Sequence, residues 1–344
     1  MDKINQFKPP KGWLKIQTID AHTGGEPLRI ITDGYPELKS KTLLGKRREA
    51  EEKYDNIRKA IILEPRGHVD MYGAIIVKPD TPGADFGVIF IHNEGYSTGC
   101  GHAVLALTKV FVEMGLVQKI EPETKVKMDV PSGLIRSYAS IEHGKVKNIH
   151  FQNVPSFVQA LDAEIDVVGL GKVKYDLAFG GAFYAFVDIN RLGLDFSKNN
   201  CNQLIQEGMK IKQAISDKVK MVHPNKPDMN FLYGTIFIDF SKTSNNHSRN
   251  VCIFADGELD RSPTGTGVSA RAAIHFARGD IKLNESIIIE SIIGSTFSVK
   301  VVDTIEVGKY SAVIPEISGN AFITGRNTFW IDPKDSLGKG FILR

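Results

Sequence analysis

The chain has 344 residues, 42% hydrophobic and 24% charged, with a formal net charge of +3. That is enough chain for about two domains with cores of their own. The balance gives no nucleic-acid surface: no Lys/Arg run is interleaved with aromatics, and the basic Lys46-Arg47-Arg48 is followed at once by Glu49, Glu51 and Glu52, as on a solvated helix face.

In chain order, strands are expected over residues 14–20 and 28–32, flanking the turn Thr23-Gly24-Gly25-Glu26-Pro27. A helix over 46–59 precedes strands at 60–63, 73–77 and 88–92. Residues 103–114 read as a helix apolar on nearly every side, and so buried. The second half repeats the scheme: a strand at 183–189, an amphipathic helix at 203–219, a strand at 235–240, a second apolar helix at 268–278, then strands at 286–290 and 296–302. Loops rich in Asn and Ser fall at 197–202 and 241–250. A buried helix flanked by strands in each half points to an α/β (α+β) protein with a sheet curled around a central helix, twice.

The repetition is explicit. Cys100-Gly101-His102-Ala103-Val104-Leu105-Ala106 matches Thr264-Gly265-Thr266-Gly267-Val268-Ser269-Ala270, and a glycine follows each first residue by fifteen positions, at Gly115 and Gly279. Met71-Tyr72-Gly73 is echoed by Leu232-Tyr233-Gly234, and Thr23-Gly24-Gly25 by Phe179-Gly180-Gly181. Two copies are too few for a solenoid. They fit two similar domains with a site between them.

No apolar stretch approaches the ~18 residues that span a bilayer, and residues 1–7 lack the core of a signal peptide. The three cysteines, Cys100, Cys201 and Cys252, are odd in number and far apart, which argues for reduced thiols and a cytoplasmic setting. Cys252 lies in a strand-like run and is expected to pack; Cys201 lies in an Asn-rich loop.

The chemistry centres on Cys100. A thiol at a helix N-terminus is expected to have a lowered pKa, and glycine-flanked amides of two such termini would receive a carboxylate and stabilise enolate-like charge beside it. The glycine loop at 262–267 has neither a P-loop ending nor a dinucleotide fingerprint. His22, His68, His92 and His102 show no metal-ligand spacing, so no metal and no cofactor is expected.

Asp20-Ala21-His22-Thr23-Gly24-Gly25-Glu26-Pro27, Pro65-Arg66-Gly67-His68-Val69-Asp70-Met71, Cys100-Gly101-His102, Phe179-Gly180-Gly181 and Asp260-Arg261-Ser262-Pro263-Thr264-Gly265-Thr266-Gly267 resemble the signature segments of the proline racemase family. The match runs from about Asp20 through Gly325-Arg326-Asn327-Thr328-Phe329 to Gly340-Phe341. The resemblance implies a diaminopimelate-epimerase-like fold of two pseudo-symmetric domains, 1–157 plus 321–344 and 158–320, with the active site between them. It implies a homodimer, and catalytic residues at Cys100 and Thr264. Gly101, His102, Asp260, Gly265 and Thr266 would hold the substrate's carboxylate and amine, and Tyr72 and Phe254 would line its ring.

Racemases of this family carry cysteine in both half-motifs, whereas this chain has Thr264 in the second. The Cys/Thr pair resembles a branch that dehydrates trans-3-hydroxy-L-proline, and the physics agrees. A threonine hydroxyl is too weak an acid to serve as a base at neutral pH, so two-base racemisation is disabled while one-base elimination remains. Two other readings compete: a proline racemase or 4-hydroxyproline 2-epimerase using Cys100 and a water, and a non-catalytic amino-acid-binding protein.

Overall fold

The computed structural model describes residues 7–240 and 246–343. Its first-half strands are β1 (Leu14–Thr23), β2 (Glu26–Asp33), β3 (Tyr72–Val77), β4 (Phe86–His92), β5 (Tyr96–Ser97), β6 (Glu123–Val130), β7 (Gly133–Glu142) and β8 (Lys145–Gln152). Next come β9 (Ser156–Val167), β10 (Gly171–Phe179), β11 (Phe183–Asp188), β12 (Leu232–Asp239), β13 (Ser248–Phe254), β14 (Glu258–Leu259), β15 (Ser286–Ser291), β16 (Thr296–Val307), β17 (Tyr310–Gly319) and β18 (Ala321–Ile331). The helices are α1 (Leu43–Ile62), α2 (Gly101–Glu113), α3 (Cys201–Lys218) and α4 (Gly265–Arg278).

Pairing gives the same order twice. In the first half the ribbon runs β18-β1-β2-β3-β4-β6-β7-β8, parallel at β2/β3 and β4/β6 and antiparallel elsewhere. In the second it runs β9-β10-β11-β12-β13-β15-β16-β17, parallel at β11/β12 and β13/β15. The C-terminal β18 therefore takes the place in the first ribbon that β9 takes in the second. β17 also pairs with β9, closing the second ribbon into a barrel, and with β8, joining it to the first.

Each ribbon wraps one apolar helix. α2 packs on β1, β2, β6, β7, β8 and β18, and α4 on β9, β10, β11, β16 and β17. Both helices are buried along most of their length. Burial explains how they tolerate few polar residues: their backbone bonds are internal and every face has apolar partners. Gly115 and Gly279 follow them at φ 74° and 76°, a left-handed turn that glycine adopts without strain. The outer helices α1 and α3 occupy equivalent places, between β2 and β3 and between β11 and β12. On α3 the buried residues Leu204, Gly208, Ile211 and Ile215 recur at helical spacing.

The expected strand at 60–63 is corrected. Ala60, Ile61 and Ile62 form the buried last turn of α1, where an apolar run of this length suits a buried helix end as well as a strand. Of the loop expected at 241–250, residues 241–245 lie outside the described residues and Ser248–Asn250 already belong to β13. The segment 197–202 forms a short 3-10 turn and the start of α3. Among the described residues no helix is long and apolar enough to cross a membrane.

Candidate active site

The two half-motifs meet at the N-termini of the central helices. Cys100 is the N-cap of α2 and Thr264 the N-cap of α4. A Cβ built on Gly101 would fall 2.6 Å from the Gly265 Cα, and one built on Gly265 would fall 2.7 Å from the Gly101 Cα. Only glycine at both positions lets the two termini abut.

Tyr72, Cys100, Gly101, His102, Phe254, Asp260, Thr264, Gly265 and Thr266, all nine residues singled out in the sequence, line one cavity of about 20 Å³. That is room for roughly one water. Gly99, Tyr184, Tyr233 and Cys252 complete the wall. Tyr233 was within reach of sequence reasoning, because it is the repeat counterpart of Tyr72. Tyr184 had no such signal; its hydroxyl lies 2.6 Å from Thr266 Oγ1. Cys252, expected only to pack, is fully buried and faces this cavity as well.

On the first-half wall, Cys100 Sγ lies 3.2 Å from His102 Nδ1. Burial pushes the His102 pKa down to about 3, so this imidazole is neutral and offers no cation to a thiolate. Burial also drives the Cys100 thiol well above its ordinary value, helped by the Asp260 charge, while a hydrogen bond from the Ala103 amide pulls the other way. The expected lowering is therefore overturned: the helix terminus acts in the predicted direction, but desolvation outweighs it. Tyr72 meets His102 edge-on, with centroids 4.9 Å apart, and its hydroxyl contacts Ser97 Oγ.

On the second-half wall, Thr264 sits at φ 66°, ψ 90°, outside the helical and extended regions. For a β-branched residue this is a strained backbone, worth about 1–3 kcal/mol. Three bonds hold it there: Thr264 N donates to Ser262 Oγ at 3.1 Å, Thr264 Oγ1 to Asp260 Oδ2 at 2.8 Å, and Val268 N to the Thr264 carbonyl at 2.7 Å. Asp260 also accepts from Ser262 N at 2.7 Å. Burial lifts its pKa to about 6, against these hydrogen bonds and the nearby Arg261. Phe254 stacks on Tyr233, with centroids 5.4 Å apart.

Two buried carboxyls tie the halves together behind the cavity. Glu26 Oε2 accepts from Arg261 N at 2.8 Å, and Glu258 Oε1 lies 3.2 Å from His92 Nδ1. His92 in turn stacks on Tyr72. Neither carboxyl could be singled out from the sequence, because each needs its distant partner to become visible.

A family model for proline racemase matches residues 18–342. The chain belongs to the proline racemase family. A Colwellia psychrerythraea protein named trans-3-hydroxy-L-proline dehydratase is 50% identical over 99% of this chain and 97% of its own length. A Burkholderia multivorans protein named 3-hydroxyproline 2-epimerase is 41% identical over 96% of this chain and 98% of its own. Among solved structures, a hydroxyproline epimerase from Agrobacterium vitis, with bound trans-4-hydroxy-L-proline, superposes with a TM-score of 0.91 at 32% identity, covering 97% of this chain and 96% of that one. The fold is thus the mixed α/β fold expected of the family.

Proposed function

We propose that the chain is a cofactor-independent hydro-lyase that converts trans-3-hydroxy-L-proline to Δ2-pyrroline-2-carboxylate, which tautomerises to the Δ1 form without an enzyme. One observation carries this reading: the two equivalent helix N-caps that face one cavity bear a thiol, Cys100, and a hydroxyl, Thr264. The name of the Colwellia relative supports the substrate class.

The backbone N–H groups of Gly101, His102, Gly265 and Thr266 receive the substrate carboxylate at the positive ends of two helices. They stabilise the negative charge that spreads onto it as the Cα proton leaves. Asp260, ionised above about pH 6, takes the ring ammonium. Tyr72 and Phe254 wall the ring. The ammonium is the positive charge that the empty-handed His102 does not supply, so the Cys100 thiolate is favoured when substrate is bound.

Cys100 then removes the Cα proton. In trans-3-hydroxy-L-proline the 3-hydroxyl lies on the same ring face as that proton, both being opposite the carboxylate. Elimination is therefore one-sided: the Cα–H bond breaks to sulfur, the electrons form the C2=C3 bond, and hydroxide leaves with a proton returned by the Cys100 thiol or a water. A cavity the size of one water admits no proline ring, so the halves, 1–157 plus 321–344 and 158–320, separate to load substrate.

Proton NMR in D2O with trans-3-hydroxy-L-proline, L-proline and trans-4-hydroxy-L-proline in parallel tests the reading. Conversion of the first alone to a pyrroline carboxylate is the expected result. Cα exchange with inversion in either of the others, without elimination in the first, overturns it in favour of a racemase or epimerase.

A further inference from the structure

We infer that a cleft beside the cavity is the entrance by which substrate reaches Cys100, that Lys226 receives the substrate carboxylate there, and that the Lys226 bond to Ser132 is the bar this carboxylate displaces. The inference rests on the reading of the cavity as a site for a small amino acid.

The cleft, of about 770 Å³, has the room for a proline ring that the cavity of about 20 Å³ lacks. Its wall includes Asn153, Val154 and Pro155, the segment that joins β8 to β9, so it lies on the seam between the two ribbons. Ser132 lines the cleft and Gly99 lines the cavity, and a Cβ built on Gly99 would fall 3.3 Å from Ser132 Oγ. These two residues, back to back, separate the two spaces. Ser132 N donates to the Thr98 carbonyl at 2.9 Å, two residues before Cys100, so whatever holds Ser132 also holds the approach to the thiol.

What holds Ser132 comes from the other half. Lys226, on the loop after α3, reaches across the seam and its ammonium donates to the Ser132 carbonyl. The loop is organised around His223, whose Nδ1 accepts from Asn225 N at 3.2 Å and Lys226 N at 3.1 Å. The His223 ring is itself wedged edge-on against Phe157 and Phe179, with centroids 5.7 and 4.7 Å apart. Among the described residues the Lys226 ammonium makes no ion pair. The other charged residues of the wall are Arg136, Asp303 and Glu306, so the cleft presents two cations and two carboxylates, a balance that suits a zwitterion. The other cleft on the seam, about 550 Å³ around Gly24, Gly25 and Ser295, has neither lysine nor arginine in its wall.

A carbonyl is a neutral acceptor, whereas a carboxylate is a charged one, and hydrogen bonds assisted by charge on both partners are roughly twice as strong. A lysine on a flexible stem can exchange one for the other. An arriving carboxylate therefore takes Lys226 from Ser132, and the bond between the halves at this point is lost. Ser132 and the Thr98–Gly99 segment behind it are then free to part from the second half. The carboxylate moves on to the stronger field of the two helix N-termini. Lys226 returns to Ser132 and closes the cavity behind it.

The test alkylates Cys100 with two reagents of nearly the same size, neutral iodoacetamide and the carboxylate iodoacetate, with the partly exposed Cys201 as the internal reference. Lys226→Met removes the ammonium and keeps the stem; Lys226→Arg keeps the charge. In Lys226→Met, iodoacetamide should label Cys100 about tenfold faster or more, the scale of losing one hydrogen bond to a charged group. The iodoacetate-to-iodoacetamide rate ratio at Cys100 should fall about fivefold or more, since one guiding charge is gone. Lys226→Arg should restore both values towards those of the unaltered protein. Looser packing alone would speed both reagents equally and leave the ratio where it was. An unchanged iodoacetamide rate, or an unchanged ratio, in Lys226→Met overturns the inference. Neither readout uses turnover, so failure to dehydrate trans-3-hydroxy-L-proline would overturn the reading of the reaction and leave this result standing.

Discussion

The Thr264 hydroxyl donates to Asp260 Oδ2 at 2.8 Å, so the residue in the second base's position is bound to the carboxylate proposed to hold the substrate amine. The bond gives Thr264 a structural reason to be there that is independent of proton transfer. Thr264→Ala should leave measurable dehydration. It should also raise the Asp260 pKa above about 6, because one of its two short hydrogen bonds is lost. A hydrogen bond to a charged group contributes about 1.5–3 kcal/mol, so the acid limb of kcat/KM should move up by roughly one pH unit or more. Complete loss of dehydration would place the hydroxyl in the elimination itself.

The pH dependence of the unaltered protein follows from the same carboxyl. Asp260 is neutral below about pH 6 and cannot pair with the ammonium, so kcat/KM should rise with pH through about 6. Burial holds the Cys100 thiol above its ordinary range, so the rise should continue through the alkaline range without a plateau at neutrality. Asp260→Asn should lower kcat/KM throughout and remove the limb near 6. A flat profile between pH 5 and 8 would contradict both assignments.

Cys100→Ser replaces the base with a hydroxyl of nearly the same shape. Serine differs from cysteine by one atom and is a favoured N-cap residue, so the fold should survive with an unchanged melting temperature. Dehydration should fall by at least about 10³-fold, the scale of losing a positioned base. Substantial retained activity in a variant free of contaminating wild type would remove Cys100 from the mechanism.

The half-motifs were legible because a buried helix entered through Cys-Gly or Thr-Gly and left through Gly115 or Gly279 writes its ends and its burial into the sequence. Tyr72 and Phe254 came through family resemblance, and both line the cavity. The closure of β9 on β17 and the exchange of β18 into the first ribbon were not legible in detail, since strand partners far apart in sequence leave no local signal. The direction of the Cys100 pKa shift was misread for a related reason. Helix ends are visible in a sequence, whereas the depth at which they lie is not.

Gly265→Ala tests the contact between the helix termini. The added Cβ would sit 2.7 Å from the Gly101 Cα, which is backbone and cannot turn aside. Overpacking of this kind costs about 1–3 kcal/mol, and here it pushes apart the amides proposed to bind the carboxylate. The expected outcome is a folded protein with raised KM and reduced kcat. Gly279→Ala serves as the comparison: it meets no neighbour within 4 Å and has its strain at the far end of the same helix, so it should cost stability but not KM.

Thiol labelling reads the closed cavity directly. Cys201 is partly exposed at the start of α3, while Cys100 and Cys252 are buried in the wall of a space one water wide. At neutral pH iodoacetamide should therefore modify Cys201 first. Cys100 should follow slowly, limited by separation of the halves and by a thiolate fraction that burial keeps small. trans-4-Hydroxy-L-proline, which keeps the carboxylate and amine but has no 3-hydroxyl to lose, should slow labelling of Cys100 further and leave Cys201 unaffected. Peptide mapping by mass spectrometry separates the three sites. If Cys100 were labelled as fast as Cys201, the resting protein in solution would be open, and substrate loading would need no separation of the halves.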